Sequence, residues 1–221
     1  EDTVTAVHKL HRGHQVTKQN TAARSRQMDN VNRLVRRVPA WSLYVVSAGW
    51  AAWLFYLALT GGLGVEPINA LEREYGDVAI KLLILGLAVT PLRRFAGLNL
   101  MKFRRAIGLS AFFFVLAHFL VFAILDVQTL ERVWEEIVKR PYVTVGMVSF
   151  LALIPLAITS NNLSVRRMGA ASWRRLHMLT YPAAVLAAFH YLWIAKGFEI
   201  EPIAHAVIIF GLLALRINWR R

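Results

Sequence analysis

The chain has 221 residues with a mean hydropathy of +0.45, and 57% of its residues are hydrophobic, which excludes an ordinary soluble domain. It also carries 26 lysines and arginines against 13 acidic residues, a net charge of +13. The basic residues alternate with apolar runs instead of clustering on one soluble face, so this charge does not indicate a nucleic-acid-binding protein.

Residues 1–38 precede the first apolar run and are polar, mixed in charge and short of aromatic residues. We interpret them as a flexible cytoplasmic leader without assigned chemistry, with a short amphipathic helix near residues 31–38. The remaining residues, 39–221, are predicted to form one transmembrane domain.

Six apolar runs follow the leader, and each is long enough to cross about 30 Å of hydrocarbon as a helix. They must be helices, because lipid offers the backbone no hydrogen-bond partner and the runs are too long for barrel strands. The sequence therefore predicts an all-α, six-helix transmembrane bundle with spans at about 41–60, 78–95, 105–125, 142–160, 176–195 and 203–219.

The connections between these runs differ in charge. The connections between runs 2 and 3 and between runs 4 and 5 contain arginines but no acidic residue, whereas the other three contain most of the acidic residues. We call the first kind the basic connections and the second kind the acidic connections. The positive-inside rule places the basic connections, and with them both termini, in the cytoplasm.

Four histidines lie in the apolar runs: His118 in the third, His177 and His190 in the fifth, and His205, interpreted as an interfacial residue, at the start of the sixth. A polar group at membrane depth is costly, so it usually faces the bundle interior, where a carbonyl of a neighbouring helix can satisfy it. His118 and His190 both lie about 20 Å along their parallel helices from the arginine pairs that begin them. The sequence lacks cysteine, so a redox metal must be held by other side chains, and two imidazoles at one depth suit the two axial positions of a haem.

His177 is predicted to lie at the cytoplasmic edge of the fifth run. On one straight helix it would not point in the direction of His190, but Pro182 lies between them and a proline can unwind the turn before it. Either Pro182 turns both imidazoles toward the third run at two depths, or only His190 faces that run and His177 serves the inner surface.

Several segments of the chain resemble a known family. They are GGLGVEP (61–67), KRPYVTVG (139–146), ITS (158–160), RRLHMLTY (174–181) and FHYLW (189–193). With His118, His177 and His190, they resemble the MsrQ (YedZ) family of haem-binding membrane subunits, within the ferric reductase-like transmembrane superfamily. The resemblance covers about residues 41–219.

The resemblance implies a multi-pass protein of the bacterial inner membrane that contains haem b, and FMN as a further cofactor. It implies that electrons come from the quinone pool or a cytoplasmic flavin reductase. They would pass to MsrP, a periplasmic molybdopterin enzyme that reduces methionine sulfoxide in oxidised proteins.

By position, the resemblance implies that His118 and His190 are the axial ligands of an outer haem and that His177 is an inner cofactor ligand. The histidine that would complete a second, inner haem is replaced by Arg104, which leaves one or two haems open. Guanidinium groups suit the FMN phosphate or haem propionates, and the alternative is that they are ordinary membrane anchors. The candidate arginines are Arg104, Arg105, Arg174 and Arg175.

Transmembrane electron transfer is the leading functional interpretation, with the acidic connections as the docking face for a periplasmic partner. The same chemistry would serve a reductase of ferric ion or oxygen, but the sequence shows no soluble flavin or NADPH-binding domain. We therefore expect an electron-transfer subunit without catalytic side chains of its own. A histidine-relay transporter is disfavoured, because such proteins usually carry intramembrane carboxylates, and every acidic residue after residue 38 falls in or beside the acidic connections.

Overall fold

The computed structural model describes residues 28–195 and 199–216. Within these ranges all regular secondary structure is helical. Four helical segments there are long and apolar enough to cross a membrane: Ser42–Leu59, Pro67–Ala96, Met101–Asp126 and Pro141–Ile158. The prediction of an all-α membrane protein is confirmed.

The helices follow one another with short connections. They are α1 (residues 28–37), α2 (Ser42–Leu59), α3 (Pro67–Pro91), α4 (Arg104–Leu120), α5 (Leu130–Lys139), α6 (Pro141–Ile158), α7 (Asn162–Met168), α8 (Ala170–Leu176), α9 (Thr180–Ile194) and α10 (Ile200–Ala214). π-helical turns at Leu92–Ala96 and Val121–Asp126 extend α3 and α4, and a 3₁₀ turn at His177–Leu179 joins α8 to α9.

The first, third and fourth predicted spans agree with α2, with α4 and its π-helical extension, and with α6. The second differs, because α3 begins at Pro67 and not near residue 78. Proline is favoured in the first helical turn, where its missing N–H has no helical partner to lose. The first turns of α3 are polar and consist largely of helix-forming residues. A search for apolar runs therefore does not detect them.

The fifth predicted run is not a single uninterrupted helix. The turn at His177–Leu179 precedes α9, and α9 and α10 contain 15 residues each. Pro182 lies in the first turn of α9, where backbone N–H groups have no intrahelical acceptor. The irregular turn therefore lies before Pro182, and the proline does not interrupt the interior of α9.

The helices pack as two close pairs. α3 packs on α4 and α6 packs on α9; α4 also contacts α6, and α10 covers both α3 and α9. The alanines Ala183, Ala184 and Ala188 are almost fully buried on α9, which allows the close helix approach typical of membrane bundles. The Tyr75 hydroxyl donates to Ala51 O at 2.8 Å, joining α3 to α2. The Ser149 hydroxyl donates to Ala183 O at 2.8 Å, joining α6 to α9.

Arg216 connects the end of the described chain to α3 and α9. Its guanidinium donates to Leu87 O at 2.6 Å and to the Tyr181 hydroxyl at 2.9 Å. The residue four positions after Leu87 is Pro91, which has no N–H to donate to that carbonyl. Arg216 therefore supplies a hydrogen bond that the helix itself cannot make.

Helix α1 is held against the first basic connection. The Asn32 amide donates to Gly97 O at 2.9 Å and accepts from the Asn99 N–H at 2.9 Å. The Lys102 ammonium donates to Arg36 O at 2.7 Å. Residues 1–27 of the predicted leader lie outside the described residues.

Candidate functional site

The imidazoles of His118 and His190 lie close together between the two helix pairs. His118 lies on α4 and His190 on α9, and their ring centres are 6.3 Å apart with the ring planes at 79°. The two histidines belong to helices whose closest neighbours are α3 and α6 respectively. The structure thus brings together the two side chains that the sequence placed at one depth.

Each of these imidazoles is fixed by a backbone carbonyl of its neighbouring helix. His118 Nδ1 lies 2.8 Å from Glu72 O on α3, and His190 Nδ1 lies 2.7 Å from Tyr142 O on α6. A carbonyl oxygen only accepts, so in both rings Nδ1 carries the proton and donates it. Nε2 of each ring is therefore left with a free lone pair, the form in which histidine binds a metal.

A glycine makes room for each imidazole. A Cβ added at Gly76 would come within 3.2 Å of His118 Nδ1, and one at Gly146 within 2.7 Å of His190 Nδ1 and Cε1. In both helices the glycine follows the accepting carbonyl by one turn, in the segments EREYG (72–76) and YVTVG (142–146). Carbonyl and glycine together form a notch that holds the edge of an imidazole ring, and it occurs once in each helix pair.

The separation of the two rings suits one metal ion between them. A metal–imidazole bond is about 2 Å long and the ring centre lies about 1.1 Å behind its nitrogen, so opposed ligands have ring centres about 6 Å apart. The observed 6.3 Å agrees with this value. The residues present therefore fit a metal group that both imidazoles would hold.

Aromatic side chains surround this region. Phe119 and Phe112 on α4 both stack on Phe150 of α6, with ring centres 5.2 and 6.0 Å apart, and Phe114 meets Tyr75 edge-on at 5.9 Å. The first two contacts place apolar surface between the helix pairs, and the third lies within the pair of α3 and α4. They exclude water, which is one way in which a protein controls the potential of a bound redox metal.

His177 belongs to a different environment. Its Nε2 lies 3.1 Å from the Thr159 hydroxyl, and its ring stacks on Trp173 with centres 3.8 Å apart. The Trp173 indole N–H in turn donates to Thr159 O at 2.8 Å. His177 therefore contacts the residues that follow α6 and precede α9, and it is separate from the His118–His190 pair.

The candidate arginines lie at this same end of the molecule. Arg104 is close enough for its charge to act on the His177 imidazole, and the Arg105 guanidinium donates to the Asn162 side chain at 2.8 Å. This hydrogen bond joins the two basic connections. Arg174 and Arg175 are exposed in the last turn of α8.

A second polar cluster lies near the start of α10 and was not predicted from the sequence. One ligand atom each from Asp77, Glu201 and His205 lie within 4.8 Å of one another. The Lys81 ammonium, however, pairs with Asp77 and lies 3.3 Å from Glu201. Lys81 already provides the positive charge that a cation would bring, so we assign no metal to this cluster.

The model of the family "Ferric reductase like transmembrane component" matches residues 75–188, a range that includes His118 and His177. Relatives from Brucella ovis, Brucella canis and Brucella suis are each named "Protein-methionine-sulfoxide reductase heme-binding subunit MsrQ". Each is 42% identical to this chain over 178 residues, which is 80% of this chain and 80% of the relative.

Proposed function

This chain belongs to the ferric reductase-like transmembrane family and, within it, to the MsrQ haem-binding subunits, and on this premise we propose that it carries electrons across the bacterial inner membrane. The observation that carries the proposal is the opposed His118–His190 pair, with ring centres 6.3 Å apart. A haem b held there supplies reversible one-electron transfer at its iron.

The side chains around the pair have separate tasks. His118 and His190 would hold the haem iron through Nε2, one from each face. The carbonyls of Glu72 and Tyr142 keep both imidazoles in the required tautomer and orientation, as the outer hydrogen bonds of metal-ligating histidines commonly do. The stacked phenylalanines of α4 and α6 keep water away.

Haem quantitation on purified single variants tests the ligand assignment. We expect His118→Ala and His190→Ala to abolish the low-spin haem signal in reduced-minus-oxidised spectra. His177→Ala should reduce it only in part, because His177 contacts Thr159 and Trp173 instead of the pair. Complete retention of low-spin haem in His118→Ala would overturn the assignment.

We propose a six-span topology with both termini in the cytoplasm, in which α9 and α10 are the fifth and sixth spans. Each has 15 residues, about 22 Å of helix, and the 3₁₀ turn before α9 lengthens the fifth crossing. The Arg105–Asn162 hydrogen bond supports the topology, because it brings the two basic connections to one side.

The basic residues around His177 are proposed to bind FMN through the phosphate of the cofactor. His177 would lie against the cofactor, and Arg104, Arg105, Arg174 and Arg175 would supply charge-assisted hydrogen bonds. A second, inner haem on His177 is the alternative, and it would require the Thr159 hydroxyl to release Nε2. An Arg104→Ala and Arg174→Ala double variant should lose flavin, and stoichiometric flavin in that variant would contradict the FMN site.

The electron acceptor is proposed to be an MsrP-like periplasmic molybdopterin reductase that docks on the acidic connections. The donor would be the quinone pool or a cytoplasmic flavin reductase. The family description favours a second candidate, reduction of ferric ion at the same face. Rapid reoxidation of the reduced protein by the purified partner, and not by a ferric chelate, would support the first candidate; the reverse result would support the second.

A further inference from the structure

Helix α5 presents two adjacent apolar faces, and only one of them is covered by protein. The covered face contains Val133, which is 7% exposed, and Ile137, which is partly buried. α5 packs on α6, and the Thr144 hydroxyl of α6 donates to Ile137 O. These contacts hold α5 beside the bundle in a defined rotation.

The neighbouring apolar face is uncovered. Leu130, Trp134 and Val138 follow one another at intervals of one helical turn and are 88%, 68% and 63% exposed. The next face around the helix is charged, and it includes an ion pair between Lys139 and Glu135 with an N–O distance of 2.9 Å. An exposed tryptophan in an apolar row of this kind needs an apolar or interfacial environment to cover it.

The position of α5 in the chain restricts what can cover that face. It lies between two segments that cross the membrane, Met101–Asp126 and Pro141–Ile158, which end and begin on the same side. The connection between them is too short to carry α5 far from the bilayer. Leu120 at the end of α4 and Ile124 in its π-helical extension are also exposed and would contact lipid.

We propose that the apolar row of α5, formed by Leu130, Trp134 and Val138, inserts into the boundary between lipid headgroups and acyl chains. The Glu135–Lys139 face remains in water. An apolar face beside a charged face is the pattern of helices that lie in the membrane surface, and tryptophan is enriched at that depth. The proposal rests on the membrane crossings of α4 and α6 and not on haem binding or on which side of the membrane α5 occupies.

The absence of native cysteine makes a clean test available. Single-cysteine variants Trp134→Cys and Val138→Cys report on the apolar row, and Glu131→Cys and Glu135→Cys are matched controls on the charged face. Leu151→Cys, at an exposed position within α6, is the lipid-embedded reference. Each purified protein carries a nitroxide and is reconstituted in vesicles of phosphatidylethanolamine and phosphatidylglycerol.

Power-saturation electron paramagnetic resonance then compares collisions with oxygen, which concentrates in lipid, and with a water-soluble nickel chelate. We expect the oxygen-to-nickel collision ratio at residues 134 and 138 to be severalfold above the ratio at 131 and 135 and to approach that at 151. Equal ratios on both faces in vesicles would overturn the proposal. Nickel accessibility at 134 and 138 that disappears only when the purified periplasmic reductase is added would also overturn it, because the row would then bind protein. Monodisperse elution and an unchanged helical circular dichroism spectrum establish that each variant is folded.

Discussion

Gly146 of α6 lies directly against the imidazole of His190 on α9, so close that a Cβ at this position would come within 2.7 Å of the ring. The equivalent contact in the other helix pair, between Gly76 and His118, would be 3.2 Å. Both histidines therefore depend on a missing side chain in the neighbouring helix as well as on a carbonyl.

Substitution of these glycines by alanine should displace the imidazoles. Gly146→Ala should lower the haem-to-protein ratio more than Gly76→Ala, because the closer contact requires the larger shift, and overpacking of this kind costs about 1–3 kcal/mol. Haem content and reduced-minus-oxidised spectra measure the effect.

Gly108→Ala and Gly49→Ala are matched controls, because a Cβ at either position meets nothing within 4 Å. Alanine also has the higher helix propensity, by about 1 kcal/mol, so these controls should be neutral or stabilising. An equal loss of haem in Gly108→Ala and Gly146→Ala would contradict the steric explanation.

Loss of the Arg216 guanidinium should lower the stability of the protein, because it leaves one carbonyl, Leu87 O, without a hydrogen bond. In Arg216→Met the Leu87 oxygen has no donor from Arg216 and none from Pro91, and an unpaired buried polar group costs about 1–3 kcal/mol. Thermal unfolding in detergent measures the change, with the exposed Arg93→Met as control.

The same explanation predicts a rescue. Pro91→Ala restores a backbone N–H one turn after Leu87, so it should offset part of the loss when combined with Arg216→Met. The double-mutant cycle should then show a coupling between the two positions. Strict additivity of the two changes would show that Arg216 stabilises the protein in some other way.

Removal of Lys81 should convert the cluster at the start of α10 into a cation site. In Lys81→Met the carboxylates of Asp77 and Glu201 lose their shared ammonium, while the imidazole of His205 remains within reach. We expect Zn²⁺ to raise the unfolding temperature of this variant but not of the wild type, since only the variant has uncompensated oxygen ligands. A Lys81→Met and His205→Ala double variant should not respond, and an equal response to Zn²⁺ in the wild type would contradict the role given to Lys81.

The hydroxyl of Thr159 should matter for the proposed flavin site alone. Thr159→Val removes the hydrogen-bond partner of His177 Nε2, so bound flavin should fall while the low-spin haem of the opposed pair stays unchanged. The flavin-to-haem ratio of purified protein measures this difference. Thr60→Val, which removes a hydroxyl bonded to the carbonyl of Tyr56 at 2.9 Å, is the control. Parallel loss of haem and flavin in Thr159→Val would contradict the separation of the two sites.

Hydropathy predicted α2, α4 and α6 closely, because an apolar run covers almost the whole of each helix. It failed at the start of α3 and before α9. Glu72, Glu74 and Asp77 continue α3 beyond its apolar part, and a count of apolar residues cannot distinguish a polar helical turn from a loop. The 3₁₀ turn before α9 falls within an apolar run, so composition alone gave no reason to expect an interruption.

The sequence by itself determined the class of protein, the alternation of charge between its connections, and the level of His118 and His190 along their helices. These features depend only on the order of the residues, because hydropathy is summed along each run and each helical residue advances the chain by a fixed rise. Only the tertiary structure decided which imidazoles meet, since the direction of a side chain around a helix depends on how that helix packs against its neighbours. The same packing selected the carbonyls of Glu72 and Tyr142 as acceptors, placed Gly76 and Gly146 against the rings and separated His177 from the pair. No periodicity along one helix specifies contacts that two helices make together.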